Sequence, residues 1–353
     1  VTDTAGTQPA QDAAADAASA GDPPPGPQRY DLITMGRIGV DIYPLQTGVS
    51  LTEVETFGKF LGGSPTNVAV AAARLGRHSA VITRTGKDPF GDYCRQALAE
   101  FGVDARWVTE VPDYPTPVTF CEIFPPDNFP LYFYRQPKAP DLVIHSRELD
   151  WEAIRTARVF WMTGTGLCAE PSRRSTQAAL EHRRASRPGQ TATVFDLDWR
   201  PMFWSGGGAA KARLHYLQAL PHATVAVGNL EECAVVTGKR EPRACAAGLL
   251  ARGVELAVVK LGPDGVLAVH RDGRTVRLPP HPVEVLNGLG AGDAFGGALC
   301  HGLLADWDLE RTMRYANAAG ALVASRLSCS AAMPTEAEVD ELLAAPAEPE
   351  GAE

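Results

Sequence analysis

The chain contains no Cys-x-x-Cys pair, and none of its seven cysteines (Cys94, Cys121, Cys168, Cys233, Cys245, Cys300, Cys329) has a histidine at zinc-ligand spacing. That pattern excludes a zinc ribbon and a paired redox motif, and it reads as reduced cytosolic thiols that mostly fill core. No apolar run approaches the roughly 20 residues of a membrane span. Positive charge is scarce. Lys and Arg number 33 against 42 Asp and Glu, for a formal net charge of -9, which argues against nucleic acid or an anionic membrane as main partner. No Lys or Arg precedes Arg29. Residues 1–28, rich in Ala, Pro, Gly and Asp, therefore lack the basic start of a signal peptide and are expected to form a disordered tail. Residues 344–353 read as a second, acidic tail. Also missing are G-x-x-x-x-G-K-[ST], a G-x-G-x-x-G after the first strand, and G-x-S-x-G. A P-loop protein, a Rossmann dehydrogenase and a serine hydrolase each lose their main sequence support.

What is present is enough apolar residue, 45% of 353, for one large domain, expected over 29–343. Buried-strand patterns alternate with helical ones. Tyr30–Gly36 reads as a strand, 80–83 precedes a helix at 88–101, 159–162 a helix at 171–186, and 193–196 a helix at 209–219. Further on, 223–227 precedes a helix at 229–237, and 256–261 follows one at 242–252. This rhythm predicts an α/β fold with a mostly parallel sheet covered on both faces, its ligands beyond the carboxyl ends of the strands. Segments of about 40–60 and 115–136 break the rhythm. Val118–Phe124 and Leu131–Tyr134 read as a hairpin apolar on both faces, and from it we expect a small β lid.

Two glycine turns, each opening a helix, carry the chemistry. In Asn287-Gly288-Leu289-Gly290-Ala291-Gly292-Asp293, free N–H groups at a helix N-terminus suit phosphate charge, and Asp293 adds a proton acceptor. The alternative is that Asp293 merely caps a helix. In Leu61-Gly62-Gly63-Ser64-Pro65-Thr66-Asn67, Ser64 fits the N-cap and Pro65 the first helical position. Gly62 and Gly63 permit close approach of a ligand, and Asn67 can bond a sugar hydroxyl. A plain capped helix is the competing reading.

Taken together and in this order, Gly62–Asn67 and Gly290–Asp293 resemble the two signatures of the ribokinase-like (PfkB) sugar kinases. The resemblance covers about residues 30 to 340 and includes Asn229-Leu230-Glu231-Glu232 and Lys260-Leu261-Gly262-Pro263-Asp264-Gly265. It implies a three-layer α/β/α sandwich with a small β-sheet lid, an ATP-dependent phosphotransferase requiring Mg²⁺, a cytoplasmic location and a homodimer formed through the lids. Asp293 would be the general base, with the N–H groups of Gly290, Ala291 and Gly292 as anion hole. Asp41, Gly62, Gly63 and Asn67 would meet the sugar. Asn229, Lys260, Gly262, Gly265 and Asn317 would serve the nucleotide, and Glu232 would organise Mg²⁺ through water. Taken alone, Glu232 could equally be an exposed helix residue, and Asp41 a turn residue.

Arg135 and Arg200 resemble the arginines with which sugar-acid kinases hold a carboxylate, a task suited to a planar guanidinium; singly, each reads equally as a surface or ion-pair arginine. Met35-Gly36-Arg37, Val40–Tyr43, Gln46, Gly48, Leu51, Phe57 and Lys59–Ser64 are similar to the family branch that phosphorylates C6 of 5-dehydro-2-deoxygluconate in myo-inositol catabolism. Kinases of 2-keto-3-deoxygluconate, of neutral sugars or of nucleosides are the alternatives, as is a sugar-binding regulator without catalysis. One departure stands out: Asn287-Gly288 replaces the family's usual Asp-Thr, which puts in doubt any role of that acid near the metal.

Overall fold

Alternate residues of each central strand feed two different cores. In the computed structural model, which describes Thr2, residues 29–185 and residues 191–345, Leu32–Met35 (β1) sends Leu32 to one core and Ile33 and Met35 to the other. The expected tails, 1–28 and 344–353, lie outside the described residues apart from Thr2, Ala344 and Ala345.

In chain order there follow Gly39–Pro44 (β2), Phe57–Gly62 (β3), Ser64–Arg74 (α1), Ser79–Gly86 (β4), Pro89–Glu100 (α2), Val108–Val111 (β5), Val118–Cys121 (β6), Leu131–Tyr134 (β7) and Trp151–Thr156 (α3). Then come Val159–Thr163 (β8), Ser172–Ala185 (α4), Ala192–Asp196 (β9), Gly208–Ala219 (α5), Val225–Asn229 (β10), Leu230–Thr237 (α6), Pro242–Leu250 (α7) and Leu256–Lys260 (β11). Val266–His270 (β12), Thr275–Leu278 (β13), Ala291–Leu304 (α8), Leu309–Ala324 (α9) and Glu336–Ala344 (α10) complete the fold.

The nine-stranded sheet has the order β13-β12-β11-β10-β9-β8-β1-β4-β5. It is parallel from β11 to β5, with β12 and β13 antiparallel at one edge. Trp161, Val194, Val227 and Val258 pack with α1, α8 and α9 on one face. Phe160, Phe195, Ala226 and Val259 pack with α4, α5 and α7 on the other. Two apolar faces need two layers of cover, and the result is a three-layer α/β/α sandwich.

The second sheet, β3-β2-β6-β7, is the lid. Its residues fall in the two segments where the helical rhythm fails. The first strand differs from the expectation in ending at Met35; a β-carbon on Gly36 would meet Pro65 Cγ at 2.9 Å. The chain leaves the main sheet there, and Gly39–Pro44 pairs with β3 as a lid strand. Parallel strands deliver Gly36-Arg37, Asp196–Asp198, Asn229 and Lys260 to one edge of the sheet, with Thr163 beside Asp196 and Asn229 beside Lys260.

Candidate active site

Both glycine turns meet at one carboxylate. Asp293 accepts from Ser64 Oγ at 2.7 Å on Oδ1 and from Asn67 Nδ2 at 2.8 Å on Oδ2. Ser64 therefore departs from its expected role: Gly63 is the N-cap of α1 and has no side chain to cap with, while the Ser64 hydroxyl serves Asp293. Asn67 gives its amide nitrogen to the same acid, and its Oδ1 is buried without a donor. A buried amide oxygen left open is an acceptor for a ligand hydroxyl.

Asp293 lies in the first turn of α8, whose N-cap Gly290 takes the left-handed φ of 86°. Only glycine suits that backbone and that space, since a β-carbon there would sit 2.8 Å from Cys329 Sγ. The Asp293 and Ala294 N–H groups bond to the Gly290 carbonyl. Among the described residues, the N–H groups of Gly290, Ala291 and Gly292 have no protein acceptor. That leaves three free donors at the positive end of a 14-residue helix, an arrangement that suits an anion. Burial pushes the Asp293 carboxyl up, while Ser64, Asn67 and the positive charge of Arg37 act in the opposite direction.

Lys260 reaches the same turn from β11, its Nζ 3.1 Å from where a β-carbon on Gly292 would lie. Burial alone would lower its pKa, but Asp196, Glu232 and Asp293 outweigh burial and hold it up as a cation. Gly262 and Gly265 turn the chain from β11 into β12, closed by Leu261 N–H donating to the Gly265 carbonyl at 2.8 Å. Asn317, on α9, donates to the Pro279 carbonyl at 2.9 Å and fastens the adjoining loop.

Asp198 is buried with φ 33°, a left-handed conformation that costs energy in a residue with a β-carbon. Its carboxylate accepts from Arg37 Nη2 at 3.2 Å and Thr165 Oγ1 at 3.0 Å, and pairs with Arg200 Nη2 at 3.2 Å. Burial would raise its pKa, yet Arg37 and Arg200 bring it below the usual range. Arg37 was legible only as part of Met35-Gly36-Arg37, without a role; a lone arginine after a strand carries no signal of its partner. Arg135 pairs with the buried Asp141 at 2.7 Å and lies over the Phe203 ring, three residues beyond Arg200. Each predicted arginine thus already holds an aspartate, Arg135 the buried Asp141 and Arg200 the buried Asp198.

Asp41, on lid strand β2, accepts from Tyr43 Oη at 3.1 Å, and a β-carbon on Gly62 would collide with its carboxyl. Burial pushes this acid up to about 7, against the Tyr43 hydroxyl and Arg37. A β-carbon on Gly63 would likewise collide with the Arg37 carbonyl. Asn229 and Glu232 form a reciprocal capping box at the start of α6: Asn229 Oδ1 accepts from Glu232 N–H at 2.8 Å, and Glu232 Oε2 from Asn229 N–H at 2.7 Å. Glu232 is buried, unlike an exposed helix residue, and its Oε1 faces Trp199 N–H at 3.3 Å and Arg200 at 3.9 Å.

Asn287 is buried as well. Its Nδ2 donates to the Leu327 carbonyl at 2.7 Å and its Oδ1 accepts from Leu289 N–H at 3.1 Å, so it staples the approach to α8.

Residues 30–336 match the pfkB family of carbohydrate kinases. The chain is 32% identical over 319 residues to the 5-dehydro-2-deoxygluconokinase of Shouchella clausii, covering 90% of this chain and 96% of that one. Among solved structures it is similar to the Xylella fastidiosa fructokinase with bound ATP, with a TM-score of 0.77, 25% identity and coverage of 89% and 98%. It also resembles a putative ribokinase II from E. coli in complex with ATP and Mg²⁺, with a TM-score of 0.79, 23% identity and coverage of 89% and 99%. A family match over residues 30–336 and a relative 32% identical over 319 residues, on a three-layer fold with a second small sheet, make this chain a member of the pfkB family of carbohydrate kinases, phosphotransferases acting on an alcohol group.

Proposed function

We propose that the chain phosphorylates the C6 hydroxyl of 5-dehydro-2-deoxy-D-gluconate with ATP as donor. The observation that carries this reading is the cluster of cations beside the Asp293 turn: Arg37 and Arg200 share the buried Asp198, and both act on Asp293. In this reading Asp293 and the N–H groups of Gly290–Gly292 form the phosphoryl-transfer centre. Arg37, Arg200 and Arg135, the last over the ring of Phe203, offer guanidinium groups to a carboxylate. A sugar acid has the matching groups, a carboxylate for a guanidinium and a primary alcohol for the base. The relative from Shouchella clausii bears the name of that activity.

In this reading Asp293 takes the proton of the C6 hydroxyl as its oxygen attacks the γ-phosphorus and the bond to ADP breaks. Gly290, Ala291 and Gly292 donate N–H groups to the transferring phosphoryl oxygens, and Lys260 neutralises charge beside them. Asp41 and Asn67 Oδ1 accept from sugar hydroxyls. Gly262, Gly265 and Asn317 shape the nucleotide side. The residues present suit magnesium held through water: no group of three potential ligands occurs among the described residues, and Glu232 already spends oxygens on backbone N–H groups. Glu232, with Asn229 beside it, would meet the ion's water shell, and the ion supplies charge neutralisation to the nucleotide phosphates.

Two further features belong to this reading. Phe57, Phe120 and Tyr134 stack edge to face on the lid, with Tyr134 66% exposed, and this apolar face suits a homodimer through the lids. Seven buried free cysteines suit a reducing cytoplasm.

An ADP-release assay with Mg²⁺-ATP against 5-dehydro-2-deoxygluconate, 2-keto-3-deoxygluconate, fructose, ribose and adenosine tests the function. Fastest turnover on the first substrate supports it, and no turnover on either acid defeats it. Asp293→Asn should lower kcat by about 10²-fold or more with ATP still bound.

A further inference from the structure

Ser64 has no part in the transfer steps described above, yet its hydroxyl makes the shorter of the two side-chain bonds to Asp293. It lies at the first position of α1, and Asn67 follows three residues later on the same turn. One turn of helix thus grips both oxygens of a single carboxylate. From the geometry we infer that Ser64 and Asn67 are positioning residues, which hold the Asp293 carboxylate in one orientation at the anion hole. The inference rests on Asp293 being the base.

The grip has a rigid foundation. Pro65 follows Ser64 and leans on Gly36, and Thr66 Oγ1 donates to the Arg37 carbonyl at 3.1 Å. α1 packs along α8, with Val68 against Gly296 and Ala71 against Gly297. The two helices start at the same place, so the Ser64–Asp293 bond spans the mouth between two N-termini. Each carboxylate oxygen has two lone-pair directions. The clasp occupies one on each and leaves the other for the substrate proton.

The clasp also sets how readily Asp293 ionises. Arg37, Arg200 and Lys260 face this acid as cations, Asp41, Asp196 and Asp198 as acids, and the buried Cys329 thiol lies close by. Within that field the Ser64 hydroxyl favours the charged carboxylate directly.

The test compares Ser64→Ala and Ser64→Thr with the unaltered chain, on whichever substrate of the panel above that chain turns over. Ser64→Ala should lower kcat by about 10-fold while both KM values stay within about threefold. It should also move the acid limb of the pH–rate profile upward, because a donor to the charged form is gone. Ser64→Thr, which keeps the hydroxyl, should restore both. Independently of turnover, ¹³C NMR titration of carboxyl-labelled aspartates should show the Asp293 midpoint rising in Ser64→Ala. An unmoved midpoint, or a kcat loss that Ser64→Thr does not rescue, overturns the inference. Failure of the substrate reading would show separately, as absent turnover of acids by the unaltered chain.

Discussion

Gly288 and Phe129 meet across the seam between the main domain and the lid: a β-carbon on Gly288 would lie 2.9 Å from the Phe129 ring. Gly288 is half of the pair that departs from the family's Asp-Thr, and the lid loop after β6 uses the space. Asn287, the other half, binds two backbone groups and carries no charge. The departure is therefore accommodated by packing.

Restoring the family residue at this position should be harmful. Gly288→Thr should push the lid loop outward and raise the KM for the sugar more than that for ATP, by steady-state kinetics. Adding Phe129→Ala should recover part of the loss, as expected of two groups competing for one space.

Lys260 and Gly292 make a second close pair. Lys260→Met should lower kcat by about 10²-fold, the scale of losing one donor to a transferring group, with a smaller change in ATP affinity measured by calorimetry. Gly292→Ala should act in the same direction by crowding the ammonium group.

Asp198 is the most sharply testable acid for stability. Asp198→Asn removes the partner of two arginines, Arg37 and Arg200. The unfolding free energy read from denaturant melts should fall by about 3–5 kcal/mol, the scale of breaking a buried ionic group, and the KM for a sugar acid should change with it. Arg37→Lys should not substitute, since one ammonium cannot reproduce the forked contact.

Asp41 predicts a pH dependence. Its carboxyl is held at about 7 in the fold against an ordinary 3.8, so the folded chain binds more protons than the unfolded one between those values. Its contribution to stability is fully present below pH 3.8 and is lost as pH rises toward 7, at about 1.4 kcal/mol per unit. Asp41→Asn does not ionise. Thermal melts should show the variant gaining on the parent chain from pH 5 to pH 8; a constant difference would refute the burial argument.

Much of this was legible in the sequence. Strands such as Val159–Thr163 and Leu256–Lys260 are apolar throughout because both faces are covered, and their patterns placed them within a residue or two. Harder to read were strands with polar, exposed positions, Val108–Val111 and Thr275–Leu278, which lie at the two edges of the sheet. The glycine signatures placed the two helix starts that meet at Asp293. They could not show that Ser64 turns from capping to Asp293, nor that Arg37 shares Asp198 with Arg200, because those contacts join segments far apart in the chain. Spacing conveys local geometry; partners across a cleft are set by the tertiary fold.

The clasp between α1 and α8 has a consequence for synthesis. Ser64 and Asn67 leave the ribosome long before Asp293, so every nascent chain carries the grip without the acid. Strands β8 to β11, which build the middle of the sheet, are also made in that interval. The contact that joins the two helix N-termini cannot form until the last fifth of the chain has threaded back against the first. With Asp293 as the proposed base, turnover would count fully assembled molecules, and a chain halted before α8 would have none.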